Sequence, residues 1–356
     1  MNIVHNPCER YSQLENLDLI GLFEIAEAAG VSPSAVANWR KRSADFPRPV
    51  ADLKSGPVFL KRDVQVWLKR RNKKVATVIS MINLKGGVAK TTTTVAVAEM
   101  LSAEFGKKVL VIDLDPQTNA TVMLIGEDKW KDLNDQEHTL ARLFQDALAD
   151  PNDRKFDLYK TIQRKVSNVA DVRRVDLLPS SLDLIDVQDR LASMPSGKFY
   201  AANPVDVLKK ATKPIIDEYD YVLIDCPPNL GIITLNGLRI SDGYIIPTIP
   251  DVLSTYGIPQ IVKRVRDFAG EIGEQIEPYG IVISLYRAQL KLHNNTVRRL
   301  RTNGDAHVFD TVIPHSGHIA EAAEFTPLNT LRQKYGYQGQ FDIYRSLTEE
   351  IMRTVA

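Results

Sequence analysis

From residue 75 onward the chain alternates short apolar runs with longer mixed segments. Residues 75–83, 108–113, 176–179, 221–225, 243–247 and 279–283 are rich in Val, Ile, Leu or Tyr. Runs of this length without polar alternation predict strands covered on both faces. Helical spacing follows the first of them over 91–104, and the polar stretch 129–165 also reads as helical. Strands alternating with helices predict a doubly wound, mostly parallel α/β sheet. The first seventy residues have a different texture. Leu19, Leu22, Phe23, Ile25 and Ala26 recur at helical spacing. Gly30 then offers the positive φ of a tight turn, and Ser32 offers an N-cap with Pro33 at the first position of a second helix over 33–42. Phe46-Pro47-Arg48-Pro49 stops that helix. Residues 58–60 form a candidate short strand, and 63–68 open a further helix ending in Lys69-Arg70-Arg71. Two short helices joined by a Gly-containing turn predict a helix-turn-helix. The chain therefore divides into a small helical, winged-helix-like domain over 1–73 and a large α/β domain over 74–356.

Composition changes this picture only locally. With 44% hydrophobic and 25% charged residues the chain has ordinary globular composition. The net charge of +1 does not mark a polyanion binder, but the distribution does: residues 40–74 hold 12 Lys/Arg against 3 Asp/Glu. Residues 282–304 hold five Lys/Arg and no acid. On the predicted second helix, Asn38, Arg40 and Arg42 are the candidates to read base edges. Two cysteines, Cys8 and Cys226, exclude a disulfide framework and fit a reducing cytoplasm. No charged leader precedes an apolar run, and no apolar stretch nears the roughly 20 residues needed to span a bilayer. A cytoplasmic protein without membrane attachment is expected.

Three segments carry chemistry. Lys85-Gly86-Gly87-Val88-Ala89-Lys90-Thr91 lies between a predicted strand and a predicted helix. Glycines there let backbone N–H groups converge on phosphate oxygens, and the helix N-terminus adds a positive end. In such a phosphate loop Lys90 reaches the β- and γ-phosphates, Thr91 ligates Mg²⁺, and Thr92 hydrogen-bonds the α-phosphate. The second segment, Ile112-Asp113-Leu114-Asp115-Pro116-Gln117, ends a strand with two acids two residues apart, which point to the same side. The third, Val222-Leu223-Ile224-Asp225, is an apolar strand ending in an acid that suits Mg²⁺.

Together these motifs resemble the ParA/MinD family of deviant Walker A ATPases, from about residue 75 to the C-terminus. The resemblance implies ATP and Mg²⁺ as cofactors. Gly86, Gly87, Val88, Ala89, Lys90, Thr91 and Thr92 would cradle the nucleotide, and Thr91, Asp113 and Asp225 would serve the metal. It gives Lys85 the role of a lysine that crosses a homodimer interface to the partner's phosphates, and Asp115 that of polarising the attacking water. Residues 310–322, Asp-Thr-Val-Ile-Pro followed by Glu-Ala, are similar to a stretch that lies against the adenine, which nominates Pro314 and Glu321 for the nucleotide. The family also implies nonspecific DNA binding through basic residues, here Lys263, Arg264, Arg298, Arg299 and Arg301. A ParB-like centromere-binding partner would stimulate hydrolysis at the nucleoid. The N-terminal unit resembles MerR- and excisionase-like winged domains and implies operator DNA as a further ligand. The expected function is ATP-dependent DNA partition. Its rivals are a nucleoid-bound ATPase positioning a protein cargo, and an ATP-modulated repressor. Residues 344–356 lack a basic amphipathic stripe, which disfavours membrane docking. A metabolic enzyme built around a cluster is disfavoured by the cysteine positions.

Overall fold

The computed structural model describes residues 18–43, 46–53, 55–71, 76–192, 203–303 and 306–356, in two compact units, residues 1–74 and 75–356.

In the first unit, β1 (Leu19–Gly21) leads directly into α1 (Leu22–Ala29), and α2 (Pro33–Arg42) follows a turn. Gly30 turns the chain at φ 65°, a conformation glycine adopts without a Cβ penalty. Ser32 caps α2, its hydroxyl accepting from the Ala35 N–H at 3.3 Å. A hairpin of β2 (Ala51–Leu53) and β3 (Gly56–Leu60) comes next, then α3 (Lys61–Arg71). The three strands form an antiparallel sheet in the order β1-β3-β2. Ile25, Val36, Phe46, Phe59, Val64 and Trp67 fill a small core. Its rings pack edge to face, with Phe46 4.7 Å from Trp67 and 5.5 Å from Phe59. Leu19 thus belongs to a strand and not to the predicted helix, because Ile20 pairs with Phe59 on β3. The exposed β2 has no apolar periodicity and exists through its pairing with β3.

The second unit is built on seven strands: β4 (Thr77–Met81), β5 (Val109–Asp113), β6 (Val175–Leu178), β7 (Tyr221–Asp225), β8 (Gly243–Thr248), β9 (Glu277–Tyr286) and β10 (Val308–Pro314). Their order is β10-β9-β8-β4-β7-β5-β6, and every pairing is parallel. Side chains alternate between two apolar layers. Val78, Leu110, Ile112, Val222 and Ile224 enter one; Ile79, Met81, Val109, Val111 and Leu223 enter the other. Cover on both faces is why these strands read as continuous apolar runs. The second layer also takes α4 (Lys90–Ala103) and the C-terminal helix Gln340–Thr354. The polar stretch after residue 126 folds as helices Glu127–Asp135, Leu140–Asp146 and Leu158–Thr161 joined by irregular turns. The edge strand β10 had only its motif as a sequence signal. Among the described residues no helix is long and apolar enough to cross a membrane.

Gly243 opens β8 where the backbone of β9 passes closest. A Cβ there would sit 2.5 Å from the Glu277 carbonyl oxygen and 2.5 Å from the Tyr279 ring. A backbone atom cannot swing aside, so Gly243→Ala is expected to cost about 1–3 kcal/mol. Urea unfolding would show this as a lower midpoint with an unchanged slope.

Candidate functional site

The strands β4, β5 and β7 all end at one edge of the sheet, and the candidate chemistry gathers there. After Met81 the chain turns through the phosphate loop and enters α4 at Lys90. Gly87 (φ 74°) and Ala89 (φ 63°) both take left-handed conformations, which curl successive N–H groups toward one concavity. Such a φ is strained for Ala89, and the surroundings hold it. The Thr93 N–H donates to the Ala89 carbonyl at 3.0 Å. The Ser284 hydroxyl donates to the Val88 carbonyl at 2.8 Å, and Lys90 Nζ donates to the Lys85 carbonyl at 3.2 Å. A Cβ added at Gly86 or Gly87 would meet nothing within 4 Å. The loop therefore faces the open cavity it helps to line, of about 380 Å³, which also touches Lys90, Thr91, Thr92 and Asp115. Val122, Met123 and Ala323 supply an apolar wall.

Two carboxylates, Asp225 and Asp115, act on Lys90, and a third, Asp113, lies beside Asp225. Asp113 and Asp225 end adjacent strands in register, and both are fully buried. Asp113 is held by its own chain. Its Oδ2 accepts from the Thr121 N–H at 2.8 Å and hydroxyl at 2.7 Å, and its Oδ1 from the Asp115 N–H at 3.1 Å. Asp225 differs. Its Oδ1 accepts from the Thr94 hydroxyl at 3.3 Å, and the Thr91 hydroxyl also bonds the carboxyl. Its Oδ2 is buried with no partner among the described residues. Burial pushes the Asp225 carboxyl up to about 7, against the hydrogen bonds from Thr91 and Thr94 and the charge of Lys90. Burial, with the neighbouring Asp225, also raises Asp113 well above the usual range. Asp115 is nearly buried; desolvation raises it, while the Gln117 N–H on Oδ1 at 3.0 Å opposes. Burial lowers Lys90, partly offset by Asp225 and Asp115. Three acids, two of them fully buried, against one ammonium is an unbalanced arrangement. A Mg²⁺ ion bound through one carboxylate, a hydroxyl and phosphate oxygens would balance it, and the orphaned Asp225 Oδ2 beside Thr91 fits that donor set.

Lys85, at the head of the loop, is turned toward its own chain. Its Nζ lies 3.2 Å from Asp251 Oδ2 and 2.9 Å from Ser254 Oγ. Burial alone would raise Asp251, but the hydrogen bonds from Ser254 and Lys85 outweigh it and hold the carboxyl below its ordinary range. Both side chains of the pair keep solvent access, 39% and 27%, so the contact is weak and exchangeable. Exposed Leu84, Val252, Leu253 and Tyr256 lie close by in the chain.

The remaining candidates separate. Pro314 lines a different cavity, of about 310 Å³, with Tyr286, Arg287 and His315. Glu321 is exposed, and neither residue lines the phosphate-loop cavity. That wall is made by Ala323, Val122 and Met123, residues without a polar signature that sequence reasoning could have caught. Lys263 and Arg264 are exposed on helix Ile258–Ile272, as are Arg298 and Arg299 on helix Lys291–Asn303. Arg301 instead donates to the carbonyls of Phe309 (3.4 Å) and Asp310 (3.1 Å) on β10. In the first unit Asn38 is exposed on α2, and Arg40 lies 3.6 Å from Asp52 on β2. Cys8 and the Arg42 side chain lie outside the described residues.

A phosphate loop between the central strand and its helix, with acids ending the neighbouring strands, defines a phosphate-loop NTPase of the deviant Walker A type. A family model described as an AAA domain matches residues 76–277. An uncharacterized protein of Pseudomonas putida is 34% identical over 251 residues, covering 70% of this chain and 86% of its own length. The chromosome partitioning protein ParA of Myxococcus xanthus is 27% identical over 252 residues, covering 70% and 80%. The chain belongs to the ParA family. Cobyrinic acid a,c-diamide synthase of Mycobacterium smegmatis, solved with an ATP analog and magnesium, shares the fold at a TM-score of 0.59 and 24% identity, over 78% of this chain and 95% of that one.

Lys90→Ala removes the only cation that faces Asp115 and Asp225 inside the cavity among the described residues. Mg·ATP affinity is expected to fall at least about a hundredfold, since a buried charge-assisted contact of this kind is worth roughly 3 kcal/mol or more. Isothermal titration would measure the loss, with circular dichroism checking that the fold persists.

Proposed function

We propose that this chain is an ATP-driven DNA-partition switch. The observation that carries the reading is the second lysine of the loop. Lys85 heads the phosphate loop, paired with the solvent-accessible Asp251 and bonded to the buried Ser254 hydroxyl, and an ion pair so exposed can be exchanged for a second nucleotide at low cost. In the proposed ATP state, Lys90 and the loop N–H groups hold the phosphates. Mg²⁺, carried by Thr91 and Asp225, would neutralise charge between the β- and γ-phosphates. Asp113, saturated by Thr121 and the Asp115 N–H, keeps the neighbouring loop in place. Asp115 orients the attacking water; its oxygen bonds to the γ-phosphorus, the bond to the β–γ bridging oxygen breaks, and ADP and phosphate leave. Lys85 of each copy meets the charge that builds on the other's γ-phosphate, which ties hydrolysis to dimerisation.

Duplex DNA binds, in this reading, across exposed cations of the ATP dimer. Lys263, Arg264, Arg298 and Arg299 are the better candidates, because Arg301 is occupied with β10. The family suggests a ParB-like protein that stimulates hydrolysis and so releases the nucleoid. The first unit adds operator binding. Its α1–turn–α2 pair, with the β2–β3 hairpin as a wing, supports autoregulation through α2 and its exposed Asn38.

Binding of random duplex DNA is expected with ATP and not with ADP, and to weaken steeply with salt. Asp115→Ala should bind DNA with ATP persistently and not turn over. Lys85→Gln should bind nucleotide as a monomer and lose the DNA response. Fluorescence anisotropy in parallel with sedimentation would check all three; equal DNA affinity with ATP, ADP and no nucleotide would remove the switch.

A further inference from the structure

A buried polar network connects the helix that follows the phosphate loop to the apolar wall of the cavity. Glu99, on α4, is fully buried. Its Oε1 accepts from Lys334 Nζ at 2.8 Å and from the Ser167 hydroxyl at 2.6 Å, and its Oε2 accepts from the Tyr335 hydroxyl at 2.6 Å. Lys334, itself 1% exposed, donates also to Asn168 Oδ1 at 2.8 Å. The Asn168 amide in turn donates to the carbonyls of Glu324 (3.3 Å) and Thr326 (2.7 Å). Backbone bonds between Leu328 and residues 168 and 170 complete the stitching. Ala323, one residue before Glu324, lines the phosphate-loop cavity. The Phe325 ring lies against Gly126, at the end of the helix Asn119–Ile125 that supplies Val122 and Met123.

The surroundings are apolar, with Val95, Val169 and Leu331 in the same layer. A buried ion pair in such a place gives little stability over an apolar pair of equal volume. What it gives is direction. The ammonium must meet Glu99 and Asn168 together, whereas an apolar contact tolerates sliding. The cavity has two halves of different chemistry: N–H groups, Lys90 and hydroxyls on one side, suited to phosphates, and Val122, Met123 and Ala323 on the other, suited to a nucleoside. Both halves are referred to one helix, the first through its N-terminus and the second through Glu99. We propose that Glu99, Lys334 and Asn168 are positioning residues that set the spacing between these halves, and so the affinity for the nucleoside part of the nucleotide. The proposal rests on the nucleotide-binding reading above.

The test compares two ligands on the full chain with Mg²⁺: a non-hydrolysable ATP analogue, and inorganic tripolyphosphate, which engages the phosphate half alone. The variant is Glu99→Leu with Lys334→Met, an apolar pair that leaves no unpaired buried charge. The analogue is expected to bind about tenfold or more weakly, with tripolyphosphate affinity unchanged. Unchanged affinity for both ligands would overturn the proposal, and so would an equal loss for both, which would place the defect in the phosphate loop. If the double variant does not fold, Asn168→Ala keeps the charged pair and should give the same split; wild-type affinity for the analogue there would overturn the proposal. Failure of the wild-type chain to bind either ligand would instead sink the nucleotide-binding reading itself.

Discussion

The phosphate-loop unit depends on one constraint: two carboxylates must end adjacent strands in register, buried, with the Lys90 ammonium facing Asp225. Asp113 and Asp225 are placed side by side by the β5–β7 ladder, and Lys90 enters from the first turn of α4. The chain resolves half of the conflict itself by wrapping Asp113 in donors from Thr121 and Asp115. It leaves Asp225 Oδ2 without one. A fold that buries an orphaned carboxylate oxygen next to a cradle of N–H groups is incomplete without a cation and an anion together. The open space in front of Gly86 and Gly87 is where they would go.

The rest of the unit serves that geometry. The double apolar layer keeps β4, β5 and β7 at fixed register, so the strand-end acids cannot drift. Ser284 on β9 holds the loop from the other side through the Val88 carbonyl. The strained Ala89 persists because such contacts over-determine it. Lys85 is the exception, paired with the partly exposed Asp251. Lys90 is held within its own site, and Lys85, on a partly exposed ion pair, is the lysine proposed above to serve a second copy.

Much of this was legible in the sequence, for physical reasons that also mark its limits. Strands buried on both faces leave continuous runs such as Val109–Asp113, and a phosphate loop requires glycines before Lys-Thr. Ser32 and Pro33 announced α2 because capping chemistry is local. What escaped was non-local. β1 and β2 are three-residue strands defined by β3. Arg301 reads as a DNA cation until β10 supplies carbonyls for it. Pro314 and Glu321 were nominated by a motif, while the cavity wall is made by Ala323 and two apolar residues of another helix. The Glu99–Lys334 pair joins residues 235 positions apart and leaves no local trace.

The most direct measurement is calorimetric titration of ATP into the chain with Mg²⁺ and with EDTA, repeated on Asp225→Asn. If the unpartnered Asp225 oxygen organises the site, Mg²⁺ tightens ATP binding by well over tenfold in the native chain and hardly at all in the variant. Equal ATP affinity with Mg²⁺ and with EDTA in the native chain would contradict the account.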